Sequence, residues 1–185
     1  MRVKNMNKEL FPTFNSKGTF LGNVTREELY HEDQENNYYR VVHNIVYLPT
    51  DGHTKQIWVQ KRASGKFWGG YLVSTASGHL HAGETPRKAM LREVQEELFN
   101  NIPTKWNFKK LGSDLFFKPD YPGYKGGMQR ISVFVSESDG SNFSPSSEEV
   151  EKLYPMSLDE LKTLAKDPDS LLVPDFRLIL QKKNL

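Results

Sequence analysis

The sequence predicts an α/β fold in which a mixed β-sheet is sandwiched between helices. Three observations carry that expectation. Runs rich in β-branched residues at 40–48, 55–62 and 129–136 read as strands. One long helical pattern, residues 85–98, interrupts them. Two further helical patterns, 158–165 and 174–182, close the chain. A sheet interrupted by one helix and trailed by others needs cover on both faces, and this order supplies it.

The elements follow in order. FPTFN and GTFLGN read as short strands joined by a turn at Ser16-Lys17-Gly18. Thr25 suits the N-cap of a short helix, with Glu28 three residues later to complete a capping box. The polar stretch HEDQENN is a loop. RVVHNIVYL (40–48) and KQIWVQKR (55–62) flank an Asp51-Gly52 turn signal and read as a hairpin. A short strand is expected around 72–76. Thr85 can cap the long helix, and Pro86 suits its first turn. Strand patterns resume over 109–117 and at QRISVFVS (129–136), with the loop KPDYPGYKGG between them. After the loop SDGSNFSPSS, residues 151–156 read as a last strand. No linker or repeat divides the chain, so residues 1–185 are expected to form one domain, with 1–39 as a strand-and-helix preface.

Composition narrows the function. Hydrophobic residues make up 37% and charged residues 26%, the balance of a globular chain. A net charge of +2 lacks the basic excess of a nucleic-acid binder, so no polymer partner is expected. With no cysteine, disulfides, thiolate metal sites and thiol nucleophiles are ruled out. The first residues lack a signal-peptide core, and no run is apolar enough to span a membrane. A cytoplasmic protein without a membrane partner is the expectation.

The chemistry concentrates on the long helix. Glu93, Glu96 and Glu97 recur at spacings of three and four, which makes them neighbours on one side. Met90, Leu91, Val94 and Leu98 share another side and face the core. Ala89 leaves room one turn before the carboxylates, and Arg92 flanks them. Crowded carboxylates repel one another unless a cation joins them, and Mg²⁺ takes such oxygen ligands together with substrate phosphates. A solvated charged face is the plain alternative for three glutamates taken alone. The upstream spacing decides between the two. Gly78, five residues, Glu84, seven residues, Arg92-Glu93, an aliphatic residue, any residue, Glu96-Glu97 is the arrangement present. By chance, six such coincidences occur in on the order of one in ten million windows.

That arrangement resembles the signature of the Nudix hydrolases, G-x5-E-x7-R-E-U-x-E-E-x-G-U, here spanning 78–100. It departs at the last two positions, where Phe99 and Asn100 replace glycine and an aliphatic residue. The change is expected to affect the helix exit, with Ile102 supplying the missing aliphatic contact. The resemblance implies a Nudix fold and Mg²⁺, with Mn²⁺ as a substitute. It implies that Glu96, Glu97 and the Gly78 carbonyl hold the metal, that Glu93 is a further ligand or helps activate water, and that Glu84 and Arg92 support the loop and helix. It also implies cleavage of a diphosphate linkage in a small-molecule substrate by water whose pKa the metal lowers. A nucleoside diphosphate or its derivative is the leading class. Relatives often add a loop glutamate as base, for which Glu148 and Glu149 are the candidates. Arg62, with Lys61, and His79 are candidates to meet substrate phosphates; Tyr121 and Tyr124 are candidates to meet the rest. Trp68 is expected in the core.

Residues 11–98 are also similar to the isopentenyl-diphosphate-isomerase-like branch of the Nudix proteins, through FNSKGTFLGNVTREELYHE, YYRVVHNIVYL and QKRASGKFWGGYLVSTASGHLHAGE. Isomerases of that branch use a cysteine where this chain has Ser77, and a histidine where it has Arg40. Serine is far too weak an acid to take over. Hydrolysis is therefore the expected reaction, with isomerase activity or a non-catalytic nucleotide-binding module as alternatives. The family resemblance also makes a homodimer the assembly to test.

Overall fold

The computed structural model describes residues 9–31, 37–49, 55–121 and 124–185. The expected Asp51-Gly52 turn, and parts of the 31–37 and 118–127 loops, lie outside them.

The chain opens with β1 (Leu10–Asn15), β2 (Phe20–Thr25) and α1 (Arg26–His31). The Asn15 side chain accepts backbone bonds from Lys17 and Thr19, which closes the β1–β2 turn. Thr25 and Glu28 form the reciprocal cap of α1. Among its described residues, the preface thus holds two paired strands and a capped helix.

β3 (Asn37–Tyr47) organises the sheet. One edge pairs in parallel with β9 (Met128–Glu137) from Tyr38↔Met128 to Tyr47↔Glu137. The other edge serves three partners in turn: β1 at Tyr38, β6 (Ala76–His79) at residues 41–44, and β4 (Gln56–Arg62) at Tyr47. Among the described residues, the expected β3–β4 hairpin pairs through Tyr47↔Ile57 and through the Leu48 N–H to the Gln56 carbonyl. Beyond that point β4 leaves β3 and pairs with β10 (Val150–Ser157) and with β5 (Leu72–Val73). The strand expected over 72–76 is split into β5 and β6, because Ser74 and Thr75 turn inward and bond Ala76 and Trp58 carbonyls. This division opens the sheet between β4 and β6, and the site lies at that opening. Pro155 is tolerated in β10, an edge strand. The 109–117 pattern becomes β7 (Lys109–Lys110) and β8 (Leu115–Phe117), both on β9.

Helices cover both faces. α2 (Pro86–Phe99) buries Ala89, Met90, Val94 and Leu98 against Val42, Ala76, Leu80 and Phe134. Each fully buried aliphatic side chain contributes about 1.5–3 kcal/mol. α3 (Leu158–Leu164) and α4 (Pro174–Lys182) cover the opposite face, where Val41, Ile45, Ile131 and Val133 meet Leu161, Phe176 and Ile179. Among the described residues no helix is long and apolar enough to cross a membrane.

The exit of α2 differs from expectation in detail. Asn100 and Asn101 both adopt left-handed backbone, at φ 48° and 63°, where asparagine is the most tolerant residue after glycine. Phe99 turns into the core against Trp106 and Phe143, while Ile102 is 58% exposed. The missing aliphatic contact is supplied by Phe99, not by Ile102.

Candidate active site

α2 starts as its sequence dictates. Thr85 accepts the Lys88 N–H and Pro86 occupies the first turn. This fixes the register that aims Glu93 and Glu97 at β6. Both are buried, at 7% and 5% exposure, whereas the Glu96 side chain is 37% exposed. Glu97 accepts the Ser77 N–H at 2.8 Å. Glu93 lies against Gly78, where a Cβ would collide with its carboxylate. Glycine is needed there for close approach, not for a special backbone angle.

Arg92 joins loop to helix. Its guanidinium donates to both Glu84 oxygens, at 2.9 and 3.1 Å, to Glu93 at 2.7 Å, to Glu96 at 3.0 Å and to the His79 carbonyl at 2.8 Å. Glu84 in turn accepts the His81 N–H at 2.9 Å. Burial opposes the Arg92 charge, but the Glu84 hydrogen bond and the Glu93 and Glu96 charges hold its pKa above the usual value. The Glu84–Arg92 bonds thus tie the 78–84 loop to the helix.

The nearby arginines do not balance the buried carboxylates. Burial, reinforced by Glu97 and Glu96, pushes the Glu93 carboxyl well above the usual range despite Arg92. Burial also pushes Glu97 up to about 7, against the Arg62 charge and the Ser77 N–H. Among the described residues no three His, Asp or Glu side chains are already grouped closely enough to hold a metal ion. The donor set nonetheless fits a hard divalent cation: two buried, under-compensated carboxylates, a more exposed third, and a glycine that leaves room for them.

These groups line a cleft of about 490 Å³. Of the other expected residues, Arg62, His79, Tyr121 and Glu149 line it too. Arg62 donates from Nε to the Phe67 carbonyl, which fixes its head at the cleft wall. The His79 ring is stacked on Tyr39 at 5.4 Å and meets the Tyr30 hydroxyl at 2.8 Å. Burial and the Arg26 charge lower its pKa to about 3, so it stays neutral. Glu149 pairs with Lys66, and both line the cleft.

Three residues fall elsewhere. Glu148 is exposed and does not line the cleft. Tyr124 stands behind Tyr121, with its hydroxyl on the Gly127 carbonyl and on Tyr39. Lys61 points away and pairs with Glu151, because alternation along β4 sends neighbours 61 and 62 to opposite faces. Trp68, expected in the core, both packs on the core and lines the cleft. Its φ is +59°, stabilised by a run of backbone bonds through residues 63–71.

A model of the family described as NUDIX domain matches residues 39–176. The chain belongs to the Nudix family. Enzymes of that family generally use a divalent metal such as Mg²⁺. The chain has no match among curated proteins. Its Nudix fold is shared with solved structures of low identity. DR0079 from Deinococcus radiodurans is similar with a TM-score of 0.70, at 17% identity, covering 96% of this chain and 100% of that one. The Nudix hydrolase RenU from M. Smegmatis gives 0.54 at 14% identity, covering 92% and 89%. The NUDIX domain of Shewanella oneidensis NrtR, solved with ADP ribose, gives 0.54 at 12% identity, covering 81% and 86%.

The motif spacing missed several cleft residues. Tyr30, Tyr39, His43, Lys66 and Asp175 line it from distant elements. Only Lys66, in the polar SGKF turn beside the flagged Arg62, carried a local signal.

Proposed function

We propose that this Nudix protein hydrolyses the diphosphate linkage of a nucleoside diphosphate or a derivative of one, with Mg²⁺ or Mn²⁺. The observation that carries the proposal is the pair Glu93 and Glu97, buried in a cleft wall with fewer positive charges than they need. Glu93, Glu96, Glu97 and the Gly78 carbonyl would hold the metal. When bound, it supplies charge neutralisation on the diphosphate and an acidified water. Arg62, Lys66 and neutral His79, which line the same cleft, bind phosphate oxygens. Glu149 is the better placed of the two loop glutamates to take a proton from water, since it lines the cleft and Glu148 does not. Tyr121 offers an aromatic face to the rest of the substrate.

Residues 1–185 act as one domain in this proposal. The preface supports that, because Phe11 and Tyr30 pack against His79 in the cleft. The same preface supports placement near the isomerase-like branch, but not isomerase chemistry. Ser77 stands where the acid would be, and a serine hydroxyl is far too weak an acid for that role.

The test is a panel of nucleoside diphosphates, their sugar conjugates and dinucleoside polyphosphates, incubated with Mg²⁺ in ¹⁸O-water. Phosphate-containing products carrying the label are expected. Glu97→Gln should lower kcat at least ~100-fold, about 2.7 kcal/mol of barrier, with an unchanged circular dichroism spectrum. A folded Glu97→Gln protein with full rate would remove the proposed site.

A further inference from the structure

The cleft has a second polar centre that the diphosphate chemistry leaves unused. Asp175, in the first turn of α4, lines the cleft with its side chain 15% exposed. Its Oδ1 accepts the Phe176 N–H at 2.7 Å, and its Oδ2 lies 3.4 Å from His43 Nε2. His43, on β3, is 1% exposed, and its Nδ1 meets Ser74 Oγ at 2.9 Å. Ser74 Oγ donates its proton to the Ala76 carbonyl, so it accepts from His43 Nδ1–H. Burial works against the Asp175 charge, but the His43 charge and hydrogen bond hold its carboxyl below the usual range. The result is a rigid carboxylate, anchored through His43 to β5 and β6, that presents acceptor lone pairs to the cleft.

A fixed carboxylate repels phosphate, while Arg62, whose charge also reaches Asp175, and Lys66 draw the diphosphate to themselves. It attracts a group with hydrogen-bond donors. The same cleft has an aromatic wall: Phe67, 58% exposed, Trp68 and Tyr121 touch one another with ring centroids 5.2–6.3 Å apart. Planar rings stack on such a wall. We propose that Asp175, oriented by His43, selects the organic end of the substrate, and that this end is a nucleobase presenting adjacent N–H donors, the guanine edge. Guanine offers N1–H beside an exocyclic amine. Adenine and cytosine place an acceptor beside their amine, and uracil flanks its one N–H with carbonyls. The expected order is guanine, then adenine and cytosine, then uracil. Asp175 is the specificity-determining residue and His43 its positioning residue.

This inference rests on the proposed nucleotide-hydrolase reading, and its test is separable from it. Equilibrium binding of GMP, dGMP, AMP, CMP and UMP is measured by calorimetry without metal, beside hydrolysis of the matching diphosphates with Mg²⁺. GMP should bind at least ~10-fold more tightly than UMP, and dGMP as tightly as GMP. Asp175→Asn should bring the guanine-to-uracil ratio close to one, in binding and in kcat/KM alike. His43→Gln should lower the ratio part of the way. A ratio between ligands within one protein cancels losses of folding. If Asp175→Asn does not fold, the wild-type order still decides. Equal binding of all bases, or loss of binding with dGMP, which would assign the carboxylate to a ribose hydroxyl, overturns the proposal. Absence of hydrolysis with base selection intact would overturn the hydrolase reading alone.

Discussion

The carboxylate of Glu93 occupies the space that a side chain at Gly78 would fill. Gly78→Ala must therefore push the carboxylate away from β6. Mg²⁺ affinity should fall at least ~10-fold while the fold persists. The check is the Mg²⁺ dependence of the rate, alongside a melting curve. An unchanged Mg²⁺ dependence would count against Glu93 as a ligand.

Arg92 makes a two-pronged bond to Glu84 and reaches three further acceptors. Lysine has neither the planar fork nor the reach. Arg92→Lys should cost about 2 kcal/mol of stability and ~10–100-fold in kcat/KM. Denaturant unfolding and steady-state kinetics measure the two separately. A variant with wild-type values for both would show that the loop is held otherwise.

Without metal, Glu97 keeps a proton up to pH about 7 that the unfolded chain gives up near 4.5. Its contribution to stability is present below pH 4.5 and is lost as pH rises through about 7. Cation binding needs the ionised form, so Mg²⁺ uptake should release at least ~1 proton near neutral pH, and affinity should rise with pH up to that range. Calorimetry in buffers of different ionisation enthalpy counts the proton. No proton release at pH 6–7 would exclude Glu97 from the metal shell.

Glu149 and Glu148 are adjacent in sequence yet differ in position. Glu149 faces the cleft beside Lys66, and Glu148 faces solvent. Glu149→Gln should lower kcat ~10²-fold or more. Glu148→Gln should leave it unchanged. Equal effects would assign neither as the base.

Much of this was legible in the sequence because it is local. The 78–97 spacing holds within one loop and one helix, so Gly78, Glu84, Arg92, Glu93 and Glu97 could be related without a fold. Capping residues Thr25 and Thr85 marked their helix starts for the same reason. The remainder depends on pairing between distant segments. His43 and Asp175 are 132 positions apart and meet only because α4 crosses the face of β3. Nothing in PDF or VVH announces that meeting. The 55–62 run looked like a partner for 40–48, yet β4 pairs mainly with β10. A strand's sequence states its buried face but not which neighbour takes its edge.

The chain has three tryptophans, and only one borders the cleft. Trp58 and Trp106 gather around Phe143, with their indole N–H groups bonded to Ser138 and Ser136. Trp68, held at its unusual backbone angle, is the indole a bound ring would touch. The molecule thus carries a built-in optical reporter: a change in its emission on adding a nucleotide arises at the cleft, and occupancy can be followed without a label.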